Sequence, residues 1–163
     1  MELEEKVRLL KVKNSEIDSL KNETFELSKE VFDEWCKNIF EKHPKIESFG
    51  WNQYTPYFND GDTCTFSANT DYLNVNDEYV DDCEWMGATK VTNWGTYNRE
   101  TKSYEGRVEV PNEKHDKELE GATMEIRSFL NMFDDDFYMR KFGDHSEIIV
   151  TREGIEVDEY DHD

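Results

Sequence analysis

The chain has 163 residues and a formal net charge of −20, with 36% apolar and 13% aromatic residues. This length suffices for one domain with a hydrophobic core and an appended element, and ten Phe, eight Tyr and four Trp exclude a disordered acidic tail. Residues 51–163 hold −17 of the charge, which disfavours direct binding to nucleic acid and favours encounter with basic surfaces.

Cysteine usage and hydropathy indicate a cytoplasmic protein. Cys36, Cys64 and Cys83 form no CxxC pair, which favours free, buried thiols in a reducing compartment over a disulfide framework or a zinc site. The first residues, MELEEKV, lack the apolar segment of a secretory signal. No apolar run approaches the roughly 18 residues that a membrane-spanning helix needs, so we expect no membrane contact.

Residues 2–42 predict one long helix, because strong helix formers dominate and neither Gly nor Pro occurs before Pro44. Five positions in it alternate steps of four and three, as in a coiled-coil seam: Leu3, Val7, Leu10, Asn14 and Ile17. The run LEEKVRLLKVKN resembles the leucine zippers of basic-zipper transcription factors, where one Asn at an a position favours a parallel dimer in register. No basic region precedes it, and the next seam positions are Lys21 and Thr24. We therefore predict a homodimer without the DNA-binding role of those factors.

A second apolar set in this helix is predicted to pack on the domain that follows. Its members are Leu20, Leu27, Val31, Trp35 and Ile39. The alternative, that the first set also packs within the chain, remains open. We divide the chain into an N-terminal helix, residues 1–43, and an acidic α+β domain, residues 44–163.

The remaining chain predicts an antiparallel sheet with one packed helix, an α+β fold. Short strands are expected over residues 46–54, 63–69, 72–76, 90–97 and 104–110, the last two joined by the polar NRETKS. A helix beginning near Asn112 would place one apolar face on the sheet: Leu119, Ala122, Ile126, Phe129, Leu130 and Phe133. At the end, Ile148 and Val150 would pair with Ile155 and Val157 across a turn at Arg152–Gly154.

The run WNQYTPYFNDGDTCTF, residues 51–66, contains the sequence NDGD. An EF-hand register that places Gly61 sixth puts Pro56 first and Phe58 third, so the calcium-loop pattern fails. Asp-Gly between strand-like runs predicts a tight hairpin turn, with Asn59 and Asp62 hydrogen-bonded to local backbone. A metal or ligand role for this loop is the weaker alternative.

The same run, with the ending FGDHSEIIVTREGIEVDEYDHD, resembles a family of uncharacterised small proteins from phages and bacterial genomes that carry the signature WxQYTPYFNDGDxCxF. The resemblance covers about 38 residues in two places. It implies a mobile-element context and supplies no catalytic residue.

Acid–base and metal motifs are sparse. Asp144–His145 and Asp161–His162–Asp163 place imidazoles beside carboxylates, but neighbours in a strand point to opposite faces and a chain end frays. Asp82, Glu100 and Lys102 could form a nuclease-like set around a divalent ion, although the last two lie in a predicted turn. No phosphate-binding glycine loop or HExxH is present. We expect no enzymatic activity, no metal and no cofactor.

The leading hypothesis is an acidic binding module that occupies the nucleic-acid site of a basic host protein, as DNA-mimic inhibitors from phages do. Two acidic surfaces are the expected contact residues: Asp134, Asp135 and Asp136, and the series Glu156, Asp158, Glu159, Asp161 and Asp163. Acids at every second residue of an exposed strand are about 6.6 Å apart, near the spacing of every second phosphate along one DNA strand. A metal-dependent enzyme and an assembly protein with a solubilising charge are the alternatives.

Overall fold

The computed structural model describes residues 2–162 and confirms the α+β class. Three helices, α1 Leu3–Lys42, α2 Lys117–Leu130 and α3 Asp135–Phe142, accompany ten strands. The strands are β1 Ser48–Tyr54, β2 Ser67–Ala68, β3 Asn74–Val75, β4 Glu78–Tyr79, β5 Thr89–Asn93, β6 Thr96–Asn98, β7 Ser103–Glu105, β8 Val108–Pro111, β9 Ser146–Thr151 and β10 Ile155–Glu159. None of the described helices is long and apolar enough to cross a bilayer.

The main sheet is antiparallel, with strand order β10-β9-β1-β3-β4 and β2 paired with β1. The C-terminal hairpin is confirmed, because Val150 pairs with Ile155 and Ile148 with Val157. The strands predicted over residues 63–69 and 72–76 are only two residues long each. Asn side chains of this region attach it to β1 and to the segment before β1: Asn69 donates to the Asn52 side chain, and Asn76 accepts from the Glu47 N–H and donates to the Lys45 carbonyl.

The single helix predicted from Asn112 is wrong in two respects. Asp116, not Asn112, is the N-cap, since its carboxylate accepts hydrogen bonds from the backbone N–H groups of Glu118 and Leu119. Asn112 instead donates its side-chain amide to the carbonyls of three residues before β5, which anchors the loop. The second error is the omission of α3, which Asp134 caps by accepting from the N–H of Phe137.

All three helices cover one face of the main sheet and form the core with it. Phe32 of α1 is fully buried at its centre, and six aromatic rings have centroids 5.5–6.4 Å from its own. These rings are Trp51, Phe129, Phe133, Phe137, Tyr138 and Phe142. The core therefore draws on α1 as well as on residues after position 43.

Helix α1 has a free half and a packed half. Every described residue up to Thr24 is exposed, and burial begins at Phe25, whose ring centroid is 6.0 Å from that of Phe137. The predicted packing stripe is wrong at its first three members, since Leu20, Leu27 and Val31 are exposed. The face that packs carries Phe25, Phe32, Trp35, Cys36, Ile39 and Phe40. Aromatic rings reach the sheet from this face, and they decide which side of the helix is covered.

Strands β5 to β8 form a separate two-stranded ribbon. β5 pairs with β8 and β6 with β7, so the predicted strands over 90–97 and 104–110 pair as one hairpin that a register shift interrupts. Its aromatic side chains Trp94, Tyr97 and Tyr104 are exposed, and the guanidinium of Arg107 lies 5.1 Å from the Trp94 ring centroid. Residues 88–112 carry four Lys or Arg and three Asp or Glu, a net charge of +1 in a strongly acidic chain.

Candidate protein-binding face

The second face of the main sheet is not covered by any described helix. Alternation along β9 buries Ser146, Ile148 and Val150 in the core and turns Glu147 and Ile149 to this open face. Gly50 of β1 lies beside them, and a Cβ at that position would collide with the carbonyl of Ile148. The absent side chain leaves a shallow groove of about 240 Å³ over the strands.

Three carboxylates gather on this open face, two on the edge strand β10 and one on its neighbour β9. Asp158 pairs with Glu147 across the strands, and Glu156 lies on the same face opposite Ile149. Like charges directly opposite in a sheet destabilise it, so this arrangement opposes folding. No ion pair to Glu147, Glu156 or Asp158 occurs among residues 2–162. These three residues are named the carboxylate face below.

Only two members of the predicted C-terminal acidic series lie on the carboxylate face. Glu159 pairs with the buried Ser146 and therefore points to the other side of the sheet. Asp161 follows the end of β10, and Asp163 lies outside the described residues. Glu147 was missed from the sequence, although its place between the buried Ser146 and Ile148 in a period-two run was the available signal.

The predicted acidic patch at residues 134–136 has local structural contacts. Asp134 caps α3, and the carboxylate of Asp135 accepts a hydrogen bond of 3.0 Å from the backbone N–H of Ala68. Asp136 is exposed and lies 3.8 Å from the guanidinium of Arg140. The patch thus differs from the carboxylate face, where no basic side chain is paired.

The NDGD loop is a turn, as predicted, but not the tight hairpin that we expected. Asp60 and Gly61 both have positive φ, of 39° and 92°, and the N–H of Asp62 donates to the carbonyl of Asn59. The Asn59 amide donates to the Thr63 carbonyl. The flanking segments are not strands, since β1 ends at Tyr54 and β2 begins at Ser67. Residues 55–66 form a loop with Tyr57 and Phe58 exposed.

The first part of the signature stretch positions the core rather than a ligand. Gln53 is fully buried, accepts a hydrogen bond from the Trp51 indole N–H, and donates to the carbonyls of Tyr138 and Gly143. The backbone N–H and the hydroxyl of Thr55 each donate a hydrogen bond to one carboxylate oxygen of Asp144, with donor–acceptor distances of 2.7 Å. Partial burial acts to raise the pKa of Asp144, but these hydrogen bonds and one from the His145 N–H outweigh it and lower that pKa.

The two histidines near the chain end meet in the structure. His145 Nδ1 lies 3.1 Å from His162 Nε2, and the Tyr57 ring stacks on both imidazoles with centroid distances of 5.0 and 4.6 Å. Tyr54 also contacts His162, at 3.9 Å between centroids. The aromatic stack attaches the segment after β10 to the loop that follows β1.

The residues of the nuclease-like alternative lie in separate elements. Asp82 follows β4, whereas Glu100 and Lys102 occupy the turn between β6 and β7 of the ribbon. Residues 2–162 contain no group of three or more His, Cys, Asp or Glu that could hold a metal ion.

The three cysteines are free thiols, and burial raises the pKa of Cys36 to about 12. Cys64 and Cys83 are only half-buried, so the prediction of buried thiols is correct for Cys36 alone.

Comparisons with known proteins add no assignment: no family model, no curated protein and no solved structure matches the chain.

Proposed function

We propose that this chain is a non-enzymatic protein-binding module, of the kind that phages encode as inhibitors, and that it occupies the nucleic-acid site of a basic host protein in the cytoplasm. The observation that carries this proposal is the carboxylate face, where Asp158 and Glu147 oppose each other beside Glu156 without a basic partner. A surface kept at a cost in stability is typical of a functional site.

The geometry of the carboxylate face fits a surface that imitates the phosphate groups of a nucleic acid. Glu156 and Asp158 are two residues apart on one strand, about 6.6 Å, which approximates two steps of a nucleic-acid strand. Asp158 and Glu147 lie on neighbouring strands, about 5 Å apart at their Cβ atoms. Lysine and arginine side chains of a basic groove would relieve the repulsion between these carboxylates, so binding would stabilise the sheet.

The test compares two triple variants that change the charge equally. The first, Glu147→Gln, Glu156→Gln and Asp158→Asn, removes the carboxylate face. The second, Glu100→Gln, Glu105→Gln and Glu109→Gln, removes three ribbon carboxylates. Basic host proteins retained on DNA-cellulose supply the ligand fraction, and bound proteins are challenged with duplex DNA and with salt.

We expect the first variant to lose the captured protein and the second to retain it. We also expect DNA to displace the wild-type chain, and binding to weaken steeply with salt, since exposed charges are screened beyond a Debye length of about 8 Å. Equal retention by both variants, or a partner that holds DNA and this chain together, would refute the proposal.

The free energy of unfolding provides a second measurement that needs no partner. Removing a like-charge cross-strand pair should stabilise the sheet by about 0.2–1 kcal/mol. The carboxylate-face variant should therefore unfold at a higher urea concentration than the wild-type chain. A lower midpoint would mean that the three carboxylates stabilise the fold, and they would then be structural.

A further inference from the structure

The free half of α1 and the outer side of its packed half carry one continuous series of exposed seam positions. The series is Leu3, Val7, Leu10, Asn14, Ile17, Leu20, Thr24, Leu27 and Val31, and each of these residues is exposed. Leu3 has 76% of its surface exposed and Leu27 has 61%, in a chain whose core is well packed. Apolar side chains exposed at coiled-coil spacing over this length of helix indicate a surface that is covered by a partner.

The spacing within this series is that of a coiled coil with one interruption. Steps of four and three alternate from Leu3 to Ile17, a second step of three leads to Leu20, and the alternation then continues to Val31. An inserted step of three is a stammer, which overwinds a coiled coil locally without ending it. The seam thus runs through about four heptads, or about 42 Å of helix.

The stammer, between Ile17 and Leu20, lies just before Phe25, where α1 begins to pack on the rest of the chain. Residues 43–162, on which α1 packs, are called the body below. Without the stammer, the seam would continue through Lys21 and Ser28, on the side of α1 that the body covers from Phe25 onwards. A step of three rather than four moves the seam around the helix, since each turn takes 3.6 residues. The seam therefore stays in solvent beside the body, and Leu20, Leu27 and Val31 belong to it rather than to the core.

We propose that residues 3–31 form a parallel, in-register coiled coil with a second copy of this chain. A second copy fits this surface because residues 2–31 carry six Lys or Arg and eight Asp or Glu, a nearly balanced charge, whereas the rest of the chain is strongly acidic. Two such helices can therefore associate with little electrostatic repulsion between them, whereas a contact between two of the acidic bodies would be strongly repulsive.

Orientation follows from one polar seam residue and the charges beside the seam. In a parallel dimer Asn14 meets its own copy, and its amides can hydrogen-bond to each other. Flanking positions then pair Lys13 with Asp18 of the partner subunit, and Glu16 with Lys21 of the partner subunit, while Lys6 meets Lys11 of the partner subunit. A fully overlapped antiparallel pair would place Asn14 against Leu20 of the partner subunit, which leaves a buried amide unpaired.

A parallel dimer brings the two bodies to the same end of the coiled coil. Two acidic bodies on one stem could engage two sites of an oligomeric partner, which raises avidity without new contacts. The dimer does not depend on the function proposed above, because its residues and those of the carboxylate face do not overlap.

Sedimentation equilibrium of the full chain at micromolar concentrations tests the proposal. We expect the wild-type chain to be a dimer. Leu27 lies beyond the zipper-like residues 3–17, and Leu27→Asp should raise the dissociation constant about 100-fold or more by placing a carboxylate in the seam. Leu9→Asp is the matched control, since Leu9 is an exposed leucine of α1 outside the seam. The control should leave the dissociation constant unchanged, and far-ultraviolet circular dichroism should be the same for all three proteins.

Three outcomes would overturn the proposal. A monomeric wild-type chain would remove the coiled coil. A dimer that Leu10→Asp abolishes and Leu27→Asp leaves intact would end the seam at Ile17. Failure of Ile17→Cys to form a symmetrical disulfide-linked dimer under oxidation would exclude the parallel, in-register arrangement, provided that sedimentation still reports a dimer.

Discussion

The two halves of α1 have the same regular backbone but opposite environments. In the packed half, Phe32 is fully buried and surrounded by six rings, whereas in the free half Val7 has 44% of its surface exposed. Both residues lie on nearly the same side of the helix, since 25 residues span close to seven turns. The difference shows that an apolar stripe is covered only as far as the rest of the chain supplies a surface to cover it.

The largest expected effect tests the packed half. Phe32→Ala should lower the free energy of unfolding by about 3–5 kcal/mol, because it removes a buried ring and leaves a cavity among six others. Val12→Ala, on the free half and outside the seam, should change it by less than about 0.5 kcal/mol. Urea unfolding followed by tryptophan fluorescence measures both. Similar losses for the two variants would contradict the division of α1.

A smaller effect tests the place where α1 leaves the body. The guanidinium of Arg140 lies 3.8 Å from the Phe25 ring centroid and donates to the Asn22 side chain. Arg140→Ala should cost about 1–2 kcal/mol through the lost cation–π contact and hydrogen bond. It should also increase hydrogen exchange around Phe25 while leaving Ile39 protected. Arg8→Ala, on the exposed free half, is the control and should alter neither quantity.

The smallest effect concerns the C-terminal end of α1 and depends on pH. The carboxylate of Glu125 in α2 lies 2.7 Å from Lys42 Nζ and 2.8 Å from His43 Nε2. The hydrogen bond from Lys42 is the main reason that the pKa of Glu125 is lowered. A lowered folded-state pKa contributes stability above the unfolded value of 4.5, and this contribution is lost as the pH falls through the folded value.

Glu125→Gln should therefore cost about 0.5–1 kcal/mol at neutral pH, a small value because the pair is partly screened by solvent. The difference from wild type should vanish in acid, where both side chains are neutral. Thermal unfolding at neutral and acidic pH measures it. A difference that persists at low pH would assign the effect to packing, and the ionised carboxylate would then have no part in holding α1.

The sequence alone predicted the parts whose signals are local. Helix formers without Gly or Pro specified α1, the period-two run and turn specified the β9–β10 register, and Asp-Gly specified the turn at Asn59–Asp62. The errors in the helix predictions arose where capping by a side chain, and not apolar periodicity, sets the first residue of a helix. Asp116 and Asp134 are the examples, since their carboxylates cap the N-termini of α2 and α3. Among the predicted acidic contact residues, strand alternation separated Glu159 from Glu156 and Asp158.

Only the tertiary structure could decide which surfaces remain open. Glu147, Glu156 and Asp158 share an open face because the described helices pack on the other face of the sheet, and neither the β9–β10 register nor a charge count specifies where those helices lie. Leu20, Leu27 and Val31 lie outside the core because a different side of α1, which carries aromatic residues such as Phe32 and Phe40, packs against the rest of the chain. Periodicity identifies an apolar side of a helix, but burial depends on which side makes the better packed contact, and distant residues determine that contact.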